Sequence, residues 1–235
     1  MKVVRAFSRY AHEYNKYNVV QKDVAKRLCI FLDKKYYGKI LDIGAGDGAV
    51  YENLLRQNIK FSSFTALDFS KEMLAIHKSD DLVKKVCLNF NEDNLSNSFN
   101  KNEFDLVISS SALQWSNDLT CLLKQISLFS DKLVFSFFTA NTFRTLHNTM
   151  NITSPVLSKE TILASLNEVF EYELEVLEYK LDFDSVHEML RYIKKSGVSG
   201  GVKQLSYKDI KFLMLNYPLD YLEFEVVFVK VVGRK

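Results

Sequence analysis

A chain of 235 residues, 47% of them hydrophobic, is long enough for one substantial core, and a single α/β domain with insertions fits it better than two domains. Its 31 basic and 29 acidic side chains leave a net charge of +2, which does not describe a general nucleic-acid binder, and no apolar run reaches the roughly eighteen residues of a membrane span. Cys29, Cys87 and Cys121 are scattered and include no Cys-x-x-Cys pair, so neither a disulfide framework nor a zinc site is suggested, and they read as reduced core thiols.

No linker divides the chain: Pro155 and Pro218 are its two prolines, and no Gly/Ser-rich or repeated segment occurs. The opening Met-Lys-Val-Val-Arg lacks a signal peptide's apolar block, so the expected location is cytoplasmic. The charge is uneven. Residues 1–27 hold seven basic and two acidic side chains, and residues 185–215 hold six basic and two acidic ones. Two such segments on a nearly neutral chain could steer an acidic partner.

Phe7, Tyr10, Tyr14 and Tyr17 recur at helical steps, and Val20, Val24 and Leu28 continue as a second helix, so roughly the first 35 residues read as helical. Ile40, Leu41 and Ile43 then form a run suited to a strand buried on both faces. Gly44, Gly46 and Gly48 break it into a turn open to close backbone approach by a ligand, which would meet the free amides of the helix carrying Val50, Tyr51, Leu54 and Leu55. A phosphate-binding P-loop is excluded, because Gly48 is followed by Ala49 and Val50 rather than by Lys and Ser or Thr. A dinucleotide fingerprint survives weakly, with Ala49 in its third glycine's place.

A second strand over 64–68 ends in Asp68, an acid placed to accept both ribose hydroxyls of an adenosine, and Ser70 caps a helix holding Met73 and Leu74. A short strand over 86–88 precedes a polar stretch, 89–102. Strands over 104–109 and 132–138 flank the segment Ser110 to Trp115 and a helix with Leu119, Leu122, Leu123 and Ile126. Five strands alternating with helices predict a doubly wound parallel sheet whose ligand sits beyond the strand C-termini. The stretch 139–158, with Arg144 and His147, reads as polar and irregular. Ser158 caps a helix with Ile162, Leu166 and Val169, and 172–183 reads as a strand. From Ser185, Val186, Met189, Leu190 and Ile193 point inward along a helix that ends in Lys194, Lys195, Ser196 and Gly197. Tyr207, Ile210, Met214 and Tyr217 form one more helical face, and 224–232 is a strong β run.

The spacing Gly-x-Gly-x-Gly after Asp42 resembles the first motif of the Rossmann-like S-adenosylmethionine-dependent methyltransferases. Taken with other marks, the chain resembles one family among them, the malonyl-acyl-carrier-protein O-methyltransferases that open the biotin pathway. Those marks are Phe7-Ser8-Arg9 with Ala11, Tyr14 and Gln21, then Leu41 to Gly48, and Asp68-Phe69-Ser70 with Met73-Leu74. They continue with Phe104-Asp105-Leu106-Val107 running into Ser109 and Ala112-Leu113-Gln114-Trp115, and with Leu190 to Gly197. Ser110 stands where asparagine is usual and Asn91 where aspartate is expected.

The resemblance implies an α/β, doubly wound, seven-stranded sheet with its last strand antiparallel and a helical cap over the active site. It divides the single domain 1–235 into a lid (about 1–35), a cofactor-binding core (about 36–140) and a cap with C-terminal strands (about 141–235). It implies S-adenosylmethionine held by Asp42, Gly44, Ala45, Gly46, Gly48, Asp68, Phe69, Met73 and Ser109, with Asn91 or Asp93 at the adenine. Tyr10, Tyr14, Gln21, Gln114, Trp115, Arg144 and His147 would serve the substrate, with Arg144 holding its carboxylate; no metal and no acid–base residue is expected. The partner would be acyl carrier protein bearing a malonyl group, docked on the basic segments around Lys194 and Lys195, with neither nucleic acid nor membrane involved. A methyltransferase acting on a free small acid, or a cofactor-binding module without activity, would share the cofactor residues.

Overall fold

The computed structural model describes residues 17–78, 80–195 and 206–235. The expected aromatic helix through Phe7, Tyr10 and Tyr14 therefore lies outside the described residues, as does the stop at Ser196 and Gly197.

β1 (Tyr36–Ile43) is the middle of the sheet, and its last four residues are buried because strands flank it and helices cover it. It runs parallel to β2 (Lys60–Asp68) on one side and to β4 (Leu106–Ser110) on the other. β3 (Val83–Cys87) extends the sheet beyond β2, and β5 (Leu133–Phe138) beyond β4. The chain then changes direction. β7 (Tyr221–Arg234) pairs antiparallel with both β5 and β6 (Phe170–Asp182), completing a seven-stranded sheet of order β3-β2-β1-β4-β5-β7-β6. Leu222 through Val229 are all buried, Glu223 and Glu225 included, as a strand between two neighbours requires. The strand order reverses between β1 and β4, and a crevice opens there at the C-terminal ends.

α1 (Val19–Leu28) buries Val20, Val24 and Leu28 in the same cluster as Ile40 and Leu106, on one side of the sheet. α2 (Ala49–Arg56) follows the glycine turn and α3 (Lys71–Ile76) follows β2. On the opposite side α4 (Leu119–Ile126) and α6 (Lys159–Val169) pack with Phe129, Phe135 and Phe170. Of the remaining helices, α8 (Tyr207–Asn216) packs on α5 (Arg144–Met150) and α7 (Val186–Lys195), and α5 packs on β7.

Several expectations shift. The third strand begins three residues earlier than the 86–88 run, since pairing with β2 recruits Val83, Lys84 and Lys85. The fourth begins at Leu106 rather than 104. The stretch 139–158 is not wholly irregular: burial of Phe143, Leu146 and His147 supports α5, bracketed by Phe143 (φ +59°) and Asn151 (φ +51°). Leu55 is exposed. On α8 the inward side is Leu213, with Tyr217 beyond its end, while Tyr207 and Met214 face solvent. Of the cysteines only Cys29 is a core thiol; Cys87 ends an edge strand and Cys121 sits on the outer side of α4, both exposed.

Candidate functional site

The turn after β1 folds back on β2, where the amides of Gly44 and Ala45 both donate to the Leu67 carbonyl at 2.8 and 2.9 Å. Gly44 (φ +77°) and Gly46 (φ +56°) take left-handed backbone that side chains resist, but for different neighbours. A Cβ on Gly44 would lie 2.2 Å from the Cβ of Ala112, so this glycine exists to let the β4 wall close against the turn. Among the described residues, a Cβ on Gly46 would meet nothing nearer than Met73 Cε at 3.6 Å and the Gly44 carbonyl at 3.9 Å. Its open side faces a cleft.

Asp68, at the tip of β2, is buried. Its Oδ2 accepts the Gly46 amide at 3.0 Å and its Oδ1 the Ser70 amide at 2.8 Å, so one carboxylate pins the glycine turn and starts α3. Burial pushes its pKa up to about 6, against the amide bonds that favour the charged form. Asp42 lies deeper. Among the described residues neither of its oxygens has a partner, and burial, with the Asp68 charge second, raises its pKa well above the carboxylate range. On the α1 side, Asn18 Nδ2 donates to Asp47 Oδ2 at 2.7 Å, tying the glycine turn to the start of α1.

The facing wall follows β4. Ser111 (φ +59°) turns the chain into the short helical turn Leu113–Trp115. Asn91, from the loop after β3, holds that turn in place: its Nδ2 donates to the Trp115 carbonyl at 2.9 Å and its Oδ1 accepts the Asn117 amide at 2.7 Å. An aspartate there could not donate to a carbonyl, which gives this chain's asparagine a structural task of its own.

Gln21, Gly44, Ala45, Gly46, Asp68, Phe69, Met73, Asn91 and Trp115 come together around a cleft of about 290 Å³. The others sit elsewhere. Asp42 and Gly48 lie behind the turn, and Ser109 Oγ donates to the Ile43 carbonyl at 2.6 Å, clasping β4 to β1. Asp93 accepts the Asn89 amide at 2.8 Å, away from the lining. Gln114 is buried behind the wall, donating to the Ser111 carbonyl at 2.7 Å. His147 is buried on α5, where desolvation holds its imidazole below the ordinary range. Arg144 is exposed at the start of α5, and among the described residues its side chain makes no hydrogen bond or ion pair. Tyr10 and Tyr14 lie outside the described residues.

The cleft also takes in Asn18, Asp47, Phe90, Ser111, Ala112 and Asn117. Asp47 could have been found, since it lies inside the glycine turn; Asn18 and Ser111 carry no local signal. One end of the cleft therefore offers open backbone and two carboxylates, and the other offers aromatic and amide surface. That combination suits a ligand with a cationic polar end, a diol and a flat base.

A family model for a methyltransferase domain matches residues 41–129, which span the glycine turn, Asp68 and Trp115. The malonyl-acyl-carrier-protein O-methyltransferase of Bacillus anthracis is 31% identical over 217 residues, covering 83% of this chain and 79% of that protein. The protein of the same name from Acetivibrio thermocellus is 32% identical over 228 residues, covering 84% and 78%. Among solved structures, a SAM dependent methyltransferase from Archaeoglobus fulgidus has the same fold at a TM-score of 0.55 and 16% identity, over 94% of this chain and 99% of that one.

Proposed function

Because the chain belongs to the malonyl-acyl-carrier-protein O-methyltransferase family, we propose that it methylates the free carboxylate of a malonyl group carried on acyl carrier protein. It is an S-adenosylmethionine-dependent methyltransferase. The observation that carries the substrate reading is the identity to those relatives across most of both chains, joined to a cleft whose residues fit the cofactor. The resemblance adds that the ester would enter biotin synthesis.

When bound, S-adenosylmethionine supplies an electrophilic methyl group on a sulfonium. Gly44 and Gly46 would admit its amino-acid end, Asp68 would accept the ribose hydroxyls, and Phe90 with Asn91 would border the base. The acceptor carboxylate is anionic at neutral pH, so no general base is asked of the protein. Trp115, with Gln21 and Asn18 opposite, would exclude water and restrict the approach of the acceptor oxygen. Orientation of this kind can supply about 7 to 11 kcal/mol of a barrier, enough to serve as the main source of acceleration.

The direct test is product analysis with malonyl carrier protein, malonyl-coenzyme A and free malonate. A methyl ester formed on the carrier substrate at the highest kcat/KM is expected. Equal use of free malonate would favour a small-acid methyltransferase, and cofactor binding with no product from any of the three would favour a module without activity.

Asp68 makes the cofactor affinity depend on pH. Its carboxyl must be ionised to accept two hydroxyls, and its pKa is pushed up to about 6. Binding of S-adenosylhomocysteine should be at full strength above that pH and should weaken towards about tenfold per unit below it. The effect on folding has the opposite sign. A carboxyl raised above its unfolded value of about 3.9 adds stability that is complete below that value and is lost as pH rises through the folded pKa. Calorimetry of S-adenosylhomocysteine binding from about pH 5 to about pH 8 checks the first effect, and Asp68→Asn should give a flat profile.

Arg144 is the proposed anchor of the malonyl carboxylate, a planar guanidinium able to hold one oxygen and leave the other to attack. It stands at the start of α5, outside the residues that line the cleft, and among the described residues no hydrogen bond or ion pair holds its side chain there. Arg144→Lys should lower turnover about tenfold or more while S-adenosylhomocysteine affinity stays unchanged. Wild-type kinetics in that variant would move the anchor to another residue.

A further inference from the structure

α8 is buried on one side and unusually apolar on the other. Leu213 is fully buried, whereas Tyr207, Leu215, Met214 and Phe212 are 81%, 76%, 55% and 46% exposed. Positions 207, 211, 214 and 215 form one stripe at helical steps, and 208, 212 and 215 form its neighbour, so exposed Lys208 and Lys211 lie among the apolar side chains. Single exposed apolar residues are ordinary, but four on one ten-residue helix make a patch. The helix start is closed by a reciprocal cap between Ser206 and Asp209.

The patch is linked to the cleft indirectly, through α7 and the start of α1. α8 packs beside α5 and α7. On α7, the Tyr192 ring lies 6.4 Å from that of Tyr17, and Lys195 Nζ lies 5.0 Å above the same Tyr17 ring. Tyr17 immediately precedes Asn18, which lines the cleft.

Resting on the proposed function, we infer that the outward face of α8 docks the acyl carrier protein, with Phe212 and Leu215 as apolar anchors and Lys208 and Lys211 facing its acidic surface. A partner with carboxylates set around small apolar spots matches this face in both charge and polarity. The acyl group it carries must then span the distance from this face to the cleft, which a long flexible carrier arm would do. A malonyl group is small, so recognition of the carrier has to come from a protein surface, and a few buried anchors usually supply most of such binding.

The test compares wild type with Phe212→Ser/Leu215→Ser and with Lys208→Glu/Lys211→Glu, on malonyl carrier protein and on malonyl-coenzyme A. For the apolar pair, KM for the carrier substrate should rise about tenfold or more, the effect of losing roughly one good anchor, with kinetics on the coenzyme A thioester and the melting temperature unchanged. For the lysine pair the rise should be largest at low salt and should shrink as salt is added. Unchanged KM for the carrier in both variants, or equal loss on both thioesters, overturns the inference. So does a wild-type dimer that the apolar substitutions dissociate in sedimentation, or binding to anionic lipid vesicles that they abolish.

If wild type methylates no thioester, the proposed function fails, and docking is judged separately by calorimetry with the unacylated carrier protein. Binding that the variants lose keeps the docking face; no binding by wild type removes it.

Discussion

Gly46→Val is expected to give a folded protein that no longer binds the cofactor. The backbone there is left-handed, which costs an L-residue about 1 to 2 kcal/mol, but among the described residues nothing lies nearer than 3.6 Å to the new Cβ. The valine would occupy the cleft instead, in the space the cofactor's amino-acid end needs. A loss of at least a hundredfold in S-adenosylhomocysteine affinity, roughly 2.8 kcal/mol, should appear in calorimetry while the melting temperature falls only modestly. Gly44→Ala is the contrasting case. Its smaller side chain meets the Cβ of Ala112 at 2.2 Å, an atom fixed to the backbone, so stability should fall by about 1 to 3 kcal/mol beyond the conformational strain. If Gly46→Val bound normally, the open side of the turn would not be the cofactor's place.

Asp68→Ala is expected to lose both ligand and stability. The cofactor would forfeit charge-assisted hydrogen bonds worth about 1.5 to 3 kcal/mol. The Gly46 and Ser70 amides, now bound at 3.0 and 2.8 Å, would lose their acceptor as well, at a cost of about 1 to 3 kcal/mol for each one left buried and unsatisfied. Asp68→Asn can keep only one of these acceptors, so it should fall between wild type and alanine in denaturant unfolding. Full affinity in a folded alanine variant would take Asp68 out of the binding site. The expectation from sequence, a ribose ligand only, had no means of showing this double duty, because amide partners at positions 46 and 70 depend on how the turn folds back.

The same division runs through the molecule. β1, the glycine turn, Asp68 and the caps at Ser70 and Ser158 were legible because each depends on a few adjacent residues: a buried run, a backbone requirement, a side-chain acceptor three residues before an amide. The orientation of α8 was not. Tyr207, Ile210, Met214 and Tyr217 form an apolar stripe, but so do Ile210, Leu213 and Tyr217, and a helix apolar on most sides has no inward face that periodicity can choose. The cleft's second wall was half visible. Trp115 stood out as a lone tryptophan after a strand, whereas Asn91 reaches it across the chain and Ser111 adopts a left-handed turn without glycine. The family resemblance makes Gln114 and Ser109 ligands, yet both are tied to the backbone behind that wall. Polar residues near a site divide between ligand and scaffold according to which way each side chain points.

The position of β7 carries a consequence for how the chain acquires its shape. β6 is joined to the sheet only through β7, which follows it in sequence, and β7 must also slot beside β5, made much earlier. Until residues 221–234 are available, the exposed rim of β5 has no neighbour and β6 has nothing to pair with, so the parallel half can form first while the final third waits. Completion then becomes a single late event: one segment enters between two others and closes both ladders at once. The alternating glutamates of β6, Glu171, Glu173 and Glu175, guard that waiting interval, because like charges along a solitary strand discourage it from zippering onto another copy of itself.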